Sequence, residues 1–248
     1  MSNLFDLTGK NVLITGAASG IGRCVAIEAS KLGANIICVD INEAGLQETL
    51  SMLAEGNHAT LKCDLTSTEE RDYLISKVGK LDGVVNCAGV GMTLPFKFCA
   101  EKELGRIMSI NFFGPIYLVQ SLAKSNKINK KASIVYMASI DGTVTGHIGN
   151  SCYAASKGAI MGSARTQALE FANRGVRVNC VSPARVNTPL IKRENISEEQ
   201  VEANKREYPM KRYAEPIEIA GYILYLLSNV STYTTGSNLV IDGGYTIE

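Results

Sequence analysis

Tyr153 and Lys157 stand four residues apart in Tyr153-Ala154-Ala155-Ser156-Lys157. Four residues make about one helical turn, so on a helix both side chains project from one face and the ammonium lies near the phenol. A tyrosine hydroxyl ordinarily ionises far above neutral pH, and a neighbouring cation favours the phenolate and lowers that value. Such a pair can exchange a proton with a bound oxygen near neutral pH. Taken alone, the spacing is also that of an incidental helical pair. Cys152 adjoins Tyr153, but no base accompanies it, and it reads as a packing residue; His147 reads as a loop residue.

A second group with chemical potential is Thr15-Gly16-Ala17-Ala18-Ser19-Gly20-Ile21-Gly22, which separates an apolar strand-like run from the helical pattern over 25–32. Glycines at a strand-to-helix turn let backbone N–H groups approach a pyrophosphate, and the helix N-terminus adds a favourable dipole. The spacing is G-x-x-x-G-x-G and not the G-x-G-x-x-G fingerprint, so its context carries the reading. Asp40 ends the next apolar run, at the ~20-residue separation expected of an acid that binds the adenosine ribose. Its carboxylate accepts from both ribose hydroxyls and repels a 2′-phosphate, which points to NAD as cofactor; the alternative role for Asp40 is a helix N-cap. Asp64 and Asn86-Cys87-Ala88-Gly89 end two further runs. Asp64 can accept from an adenine amino group, and small Ala88 and Gly89 let a cofactor lie against the backbone.

Seven apolar runs of strand length, 11–15, 35–40, 58–63, 83–87, 133–139, 176–181 and 238–241, alternate with helical stretches and must position these groups. Each run is nearly continuous in its apolar residues, so helices should cover both faces of a parallel sheet, giving a doubly wound α/β fold. With 248 residues, 46% of them hydrophobic, the chain can bury one large core in a single domain over 1–248. Residues 188–216, rich in Lys, Arg and Glu, read as a mobile excursion and a substrate lid, or else as a solvated helical pair.

Lys and Arg total 25 against 24 for Asp and Glu, and a net charge of +1 leaves no footprint for nucleic acid or an anionic membrane. The expected partner is a small molecule. Seven cysteines, none spaced C-x-x-C, indicate neither a disulfide framework nor a zinc site, and no metal is expected. Cys24, Cys38, Cys63, Cys87 and Cys180 sit in or beside apolar runs and read as reduced core residues of a cytoplasmic protein. Neither a signal peptide nor a membrane span is legible.

Together these motifs resemble the short-chain dehydrogenase/reductase family in its shorter, single-domain branch. The resemblance covers nearly the whole chain and rests on Gly16, Gly20, Gly22, Asp64, Asn86-Cys87-Ala88-Gly89, Asn111, Ser139, Tyr153 and Lys157, in the family's order. It implies a Rossmann-like seven-stranded parallel sheet and an NAD(H)-dependent exchange between a secondary alcohol and a ketone. Ser139 would orient the reacting oxygen, Tyr153 would give or take its proton, Lys157 would tune Tyr153 and bind the nicotinamide ribose, and Asn111 would hold a water that links Lys157 to solvent. The implied cofactor contacts begin with Gly16, Ser19, Gly20, Ile21 and Gly22, continue with Asp40, Asp64, Leu65, Asn86, Ala88 and Gly89, and end with Tyr153, Lys157, Val186 and Thr188.

Two positions depart from the family pattern. Cys87 replaces an asparagine, which removes a buried polar interaction, and Ala184 replaces a glycine, so the loop beyond it is expected to run differently. Asp141, His147, Asn150 and Arg185 border the implied substrate pocket and suit a polar or acidic substrate. The helix after Tyr153 carries small residues, among them Ala155, Gly158 and Gly162, and the resemblance implies that it lies at a subunit interface, giving a homotetramer or next a dimer, the alternative being close packing within one chain. Two other functions stay open: a 3-oxoacyl thioester reductase, which Asp40 disfavours because that reaction draws on NADPH, and a catalytically silent NAD(H)-binding scaffold or sensor.

Overall fold

The computed structural model describes residues 4–192 and 197–247. Seven strands form one parallel sheet: β1 Asn11–Thr15, β2 Asn35–Asp40, β3 Ala59–Lys62, β4 Leu81–Asn86, β5 Ile128–Met137, β6 Arg177–Pro183 and β7 Asn238–Ile241. Between them run α1 Gly20–Lys31, α2 Glu43–Ser51, α3 Thr68–Lys77, α4 Glu101–Met108, α5 Gly114–Lys124, α6 Ser151–Phe171, α7 Pro189–Lys192, α8 Glu198–Arg206 and α9 Pro216–Leu227. The excursion 188–216 thus carries α7 and α8, with residues 193–196 outside the described residues.

All seven expected strands are present; β1, β2 and β7 keep the expected ends and the other four shift. The largest shift is in β5, which starts at Ile128, five residues before the apolar run. Ile128 pairs with Leu81, and a register irregularity follows before Ser133 pairs with Gly83, so polar Asn129-Lys130-Lys131 belongs to the strand. Tertiary pairing extends the strand through residues that hydrophobicity alone would leave in a loop.

Strand order is β3-β2-β1-β4-β5-β6-β7. The chain winds outward from β1 in one direction, then crosses back to β4 and winds the other way. The switch point lies between the ends of β1 and β4, where ligands bind in sheets of this kind. Alternate residues feed two cores. Val12, Ile14, Ile36, Cys38, Val85 and Val181 face α1 and α9, through Val25, Ala29, Ile219 and Ile223. Leu13, Val39, Val84, Ile134, Tyr136 and Val178 face α3, α5 and α6, through Leu74, Leu118, Leu122, Ile160 and Ala164. A sheet buried on both faces explains why its strands read as continuous apolar runs.

Candidate active site

At the end of β1, Gly16 adopts φ +68°, and a Cβ placed there would stand 2.8 Å from the backbone nitrogen of Ala88. Only glycine both turns the chain and admits the β4 segment so closely. Ala88 N–H donates to Thr15 Oγ1 at 3.2 Å, joining the two loops of the switch point. Gly22 lets the first turn of α1 lie on the Gly16 carbonyl, which a Cβ would strike. Ser19 is the N-cap of α1 and makes no side-chain capping bond, while Gly20 and Ile21 open the helix. The first N–H groups of α1 therefore point into the crevice, as an anion-binding turn requires. Thr188 stands over this turn, its Cγ2 3.3 Å from a Cβ built on Gly20, so the segment after β6 closes on the same place.

Asp40 Oδ2 accepts from Ala18 N–H at 3.1 Å and Oδ1 from Asn42 N–H at 3.0 Å. Asn42, not Asp40, caps α2, through its bond from Gly45 N–H. One cation escaped the sequence reading: Arg23 on α1 reaches the Ala18 carbonyl, and its guanidinium also meets Glu48 at 2.7 Å and Thr49 at 3.0 Å. Its charge is committed to Glu48. Nothing in the sequence marks it, because the partner lies on α2.

Asp64, just beyond β3, accepts from the N–H and hydroxyl of Thr66 at 2.8 and 2.7 Å. Leu65 is buried beside Gly114. Asn86 is buried at the end of β4; its amide reaches the Val135 carbonyl at 3.4 Å, and its Oδ1 has no partner among the described residues. That orphaned oxygen sits next to Cys87, which occupies the place of the family's asparagine. Val186 is buried and bridges to Ala214.

The reason for expecting a diverted loop at Ala184, a backbone that needs positive φ, does not apply. Ala184 is not among the non-glycine residues at positive φ, and its N–H continues the β6–β7 ladder to the Ile241 carbonyl at 3.0 Å. The backbone there needs no glycine.

At the other side of the crevice, α6 carries Tyr153, half-buried, and Lys157, buried. Lys157 Nζ donates to the Met137 carbonyl at 2.8 Å and lies 5.7 Å from the centre of the Tyr153 ring. Burial pushes its ammonium down to about 8. Ser139, two residues beyond Met137, is nearly buried, with its Oγ accepting from Asp141 N–H at 3.2 Å. Asn111 lies in the π-helical segment Ser109–Phe113 that joins α4 to α5, a widening typical of functional positions. Its Oδ1 accepts from Val90 N–H at 2.9 Å, and its Nδ2 donates to the Val90 carbonyl at 3.0 Å and to Ser156 Oγ at 3.1 Å. It therefore ties the β4 loop to α6. A Cβ on Gly89 would lie 3.3 Å from Asn111 Oδ1 and 3.5 Å from Lys157 Nζ, so both converge on that glycine.

Three of the four polar residues named for the substrate pocket meet. Asp141, buried, accepts from Asn150 Nδ2 at 2.7 Å and has His147 Nδ1 at 2.5 Å. The second ring nitrogen of His147 lies 2.8 Å from the hydroxyl of Tyr245, which no sequence signal joins to it across 98 residues. Arg185 lies in the segment after β6, where its carbonyl accepts from Ala214 N–H at 3.1 Å.

The reading of Cys152 as a packing thiol, and of the chain as without disulfides, is overturned: Cys99 and Cys152 are joined. The partners lie 53 residues apart, and only the approach of the segment after β4 to α6 brings them together. The small residues of α6 divide between two uses. Gly158 admits the Gly142 carbonyl within the same chain, and Gly142 in turn lies against the Ala154 backbone, whereas Ala155 and Gly162 are exposed.

A parallel sheet with a glycine turn at its switch point and a Ser–Tyr–Lys group across the crevice defines a dinucleotide-binding oxidoreductase. A family model described as enoyl-(acyl carrier protein) reductase matches residues 16–246. The chain is 34% identical over 242 residues to the 3-oxoacyl-[acyl-carrier-protein] reductase FabG of Rickettsia bellii, covering 97% of this chain and 98% of that one. It is 34% identical over 252 residues to the D-threitol dehydrogenase of Mycolicibacterium smegmatis, covering 98% and 95%. A solved short-chain glucose/ribitol dehydrogenase from Brucella melitensis superposes with a TM-score of 0.90 at 29% identity, over 98% of this chain and 99% of that one. The chain belongs to the short-chain dehydrogenase/reductase family and is an oxidoreductase that interconverts secondary alcohols and ketones. Among the described residues no helix is long and apolar enough to cross a membrane.

Proposed function

We propose that the protein is an NAD(H)-dependent dehydrogenase/reductase in which Tyr153 is the acid/base. The residues fit the cofactor: Gly16, at positive φ, turns the chain at the switch point against the Ala88 backbone, Gly89 lies bare beside Asn111 and Lys157, the first turn of α1 offers N–H groups, and Asp40 presents a carboxylate at the end of β2. When bound, the nicotinamide supplies or accepts the hydride. Asp40 would hold the ribose hydroxyls, Asp64 and Leu65 would flank the adenine, and Asn86, Ala88 and Gly89 would line the floor. Val186 and Thr188 would close the nicotinamide end.

Ser139 Oγ would hold the substrate oxygen while the Tyr153 hydroxyl delivers or removes its proton. Lys157, kept beneath the tyrosine ring by the Met137 carbonyl, favours the phenolate whenever it carries its charge. Asn111 would maintain the path by which that proton is replaced. The observation that carries this reading is the convergence of Lys157, the Tyr153 ring and the Met137–Ser139 strand end. Asp141 with His147 and Asn150 favours a hydroxylated substrate, in keeping with the threitol and glucose/ribitol relatives. The similarity to the Rickettsia reductase supports a second reading, reduction of 3-oxoacyl thioesters. We further propose a lid at 188–216, a cytoplasmic location and a homotetramer, the last supported by exposed Ala155 and Gly162 on α6.

The test is an NADH-absorbance screen of polyols, sugars, ketones and 3-oxoacyl thioesters with the wild type and Tyr153→Phe. The variant should lose at least about a hundredfold in kcat on every compound the wild type turns over. Its NADH affinity should change less than about twofold. Undiminished turnover would remove Tyr153 from the chemistry.

A further inference from the structure

Residues 91–100 cross from the β4 loop to α4 without burying a single side chain, and Phe96 and Phe98 are 78% and 61% exposed. Few apolar contacts hold such a segment, so its order depends on specific tethers. Three of them run to the start of α6. Leu94 N–H donates to the Gly149 carbonyl at 2.8 Å, Thr93 Oγ1 donates to Asn150 Oδ1 at 3.2 Å, and Cys99 is bonded to Cys152. Hydrogen bonds this accessible to water contribute little net order. The covalent tether is the dominant one, and it ends on the residue next to Tyr153.

We propose that Cys99 and Cys152 form a thiol–disulfide exchange site whose oxidation fixes the 91–100 segment against the first turn of α6. In the forward step the thiolate of one cysteine attacks a low-molecular-mass disulfide such as glutathione disulfide, displacing one glutathione thiol. The second cysteine then attacks the mixed disulfide, forming the Cys99–Cys152 bond and releasing the other. Two protein thiols are oxidised and one external disulfide is reduced, with both thiol protons accounted for in the two glutathione thiols. Burial raises all five of the other thiols, Cys24 included, which disfavours their reaction. Cys38, Cys87 and Cys180 are held by burial at about 12 and Cys63 at about 11, so their thiolates are scarce. The exchange acts on a wall beside Tyr153 and leaves the nucleotide crevice at Gly16 and Asp40 untouched.

The full-length protein, saturated with NADH, is equilibrated with glutathione/glutathione-disulfide mixtures, alkylated and mapped without reduction, and amide exchange is followed over 91–100. A Cys99–Cys152 linked peptide should form and disappear reversibly across the series, with the other five cysteines remaining thiols. Reduction should speed exchange in 91–100 by about tenfold, a shift of about 1.4 kcal/mol in opening, with exchange in β1 and α1 unchanged. Cys99→Ser should show the fast exchange in both oxidising and reducing mixtures. Persistence of both thiols in excess glutathione disulfide would overturn the proposal. So would mixed disulfides alone, or a linked protein whose 91–100 exchange equals that of the reduced one. The wild-type comparison needs no variant, and its failure would leave the Tyr153→Phe result unaffected.

Discussion

Asp40 owes its position to two backbone N–H groups, from Ala18 in the glycine turn and Asn42 at the start of α2. A carboxylate fixed this way cannot swing aside for a 2′-phosphate. Two unit charges ~4 Å apart repel by about 4 kcal/mol at an effective dielectric near 20. Arg23 is close enough to touch the same turn, but its bond to Glu48 leaves the acid dominant. Fluorescence titration should therefore show wild-type protein preferring NADH to NADPH by at least about a hundredfold, and Asp40→Ala narrowing that ratio by at least about tenfold. Equal binding of the two by the wild type would contradict the cofactor assignment.

The turn between β1 and α1 works as one element because the β4 loop is packed into it. At Gly16 both the positive φ and the approach of Ala88 exclude a side chain. Gly16→Ala should cost about 1–3 kcal/mol in urea unfolding and weaken NADH binding at least about tenfold, since relieving the strain displaces Ala88 or the first turn of α1. Ala184 shows the converse: the segment after β6 keeps its ladder with an alanine because its backbone never enters the left-handed region. The π-helical segment between α4 and α5 is a third device of this scale, turning Asn111 inward so that it reaches Val90 and Ser156 together.

Across the molecule, several thiols and phenols are buried. Burial raises Cys38, Cys87 and Cys180 to about 12, Cys63 to about 11 and Tyr208 to about 12, and raises Tyr136 as well. Above about pH 9 the unfolded chain loses these protons while the folded one keeps them. The folded state then binds more protons, and stability falls as pH rises. Lys157, lowered to about 8, acts in the opposite sense between its folded and unfolded values, because there the folded state is the one without the proton. With Lys10, which burial also lowers, it makes two amines against four thiols and two phenols. Chemical denaturation should show a loss on the order of several kcal/mol between pH 9 and 11. A flat profile would mean that these thiols are not buried as described.

The doubly wound sheet, the strand-to-helix glycine turn and the Tyr153–Lys157 pair were legible in the amino-acid sequence because each follows from periodicity or from spacing within one element. A run apolar at every position needs two covered faces, and four residues on a helix share a side wherever that helix lies. What the tertiary structure decided was every relation between distant elements. It set the partner of Arg23 on α2, the closure of Thr188 over Gly20 and the meeting of His147 with Tyr245. It also joined Cys99 to Cys152, against the sequence reading. Local pattern records which way a side chain points from its own backbone, while the neighbour it meets depends on strand order and crossover packing, which no single segment encodes.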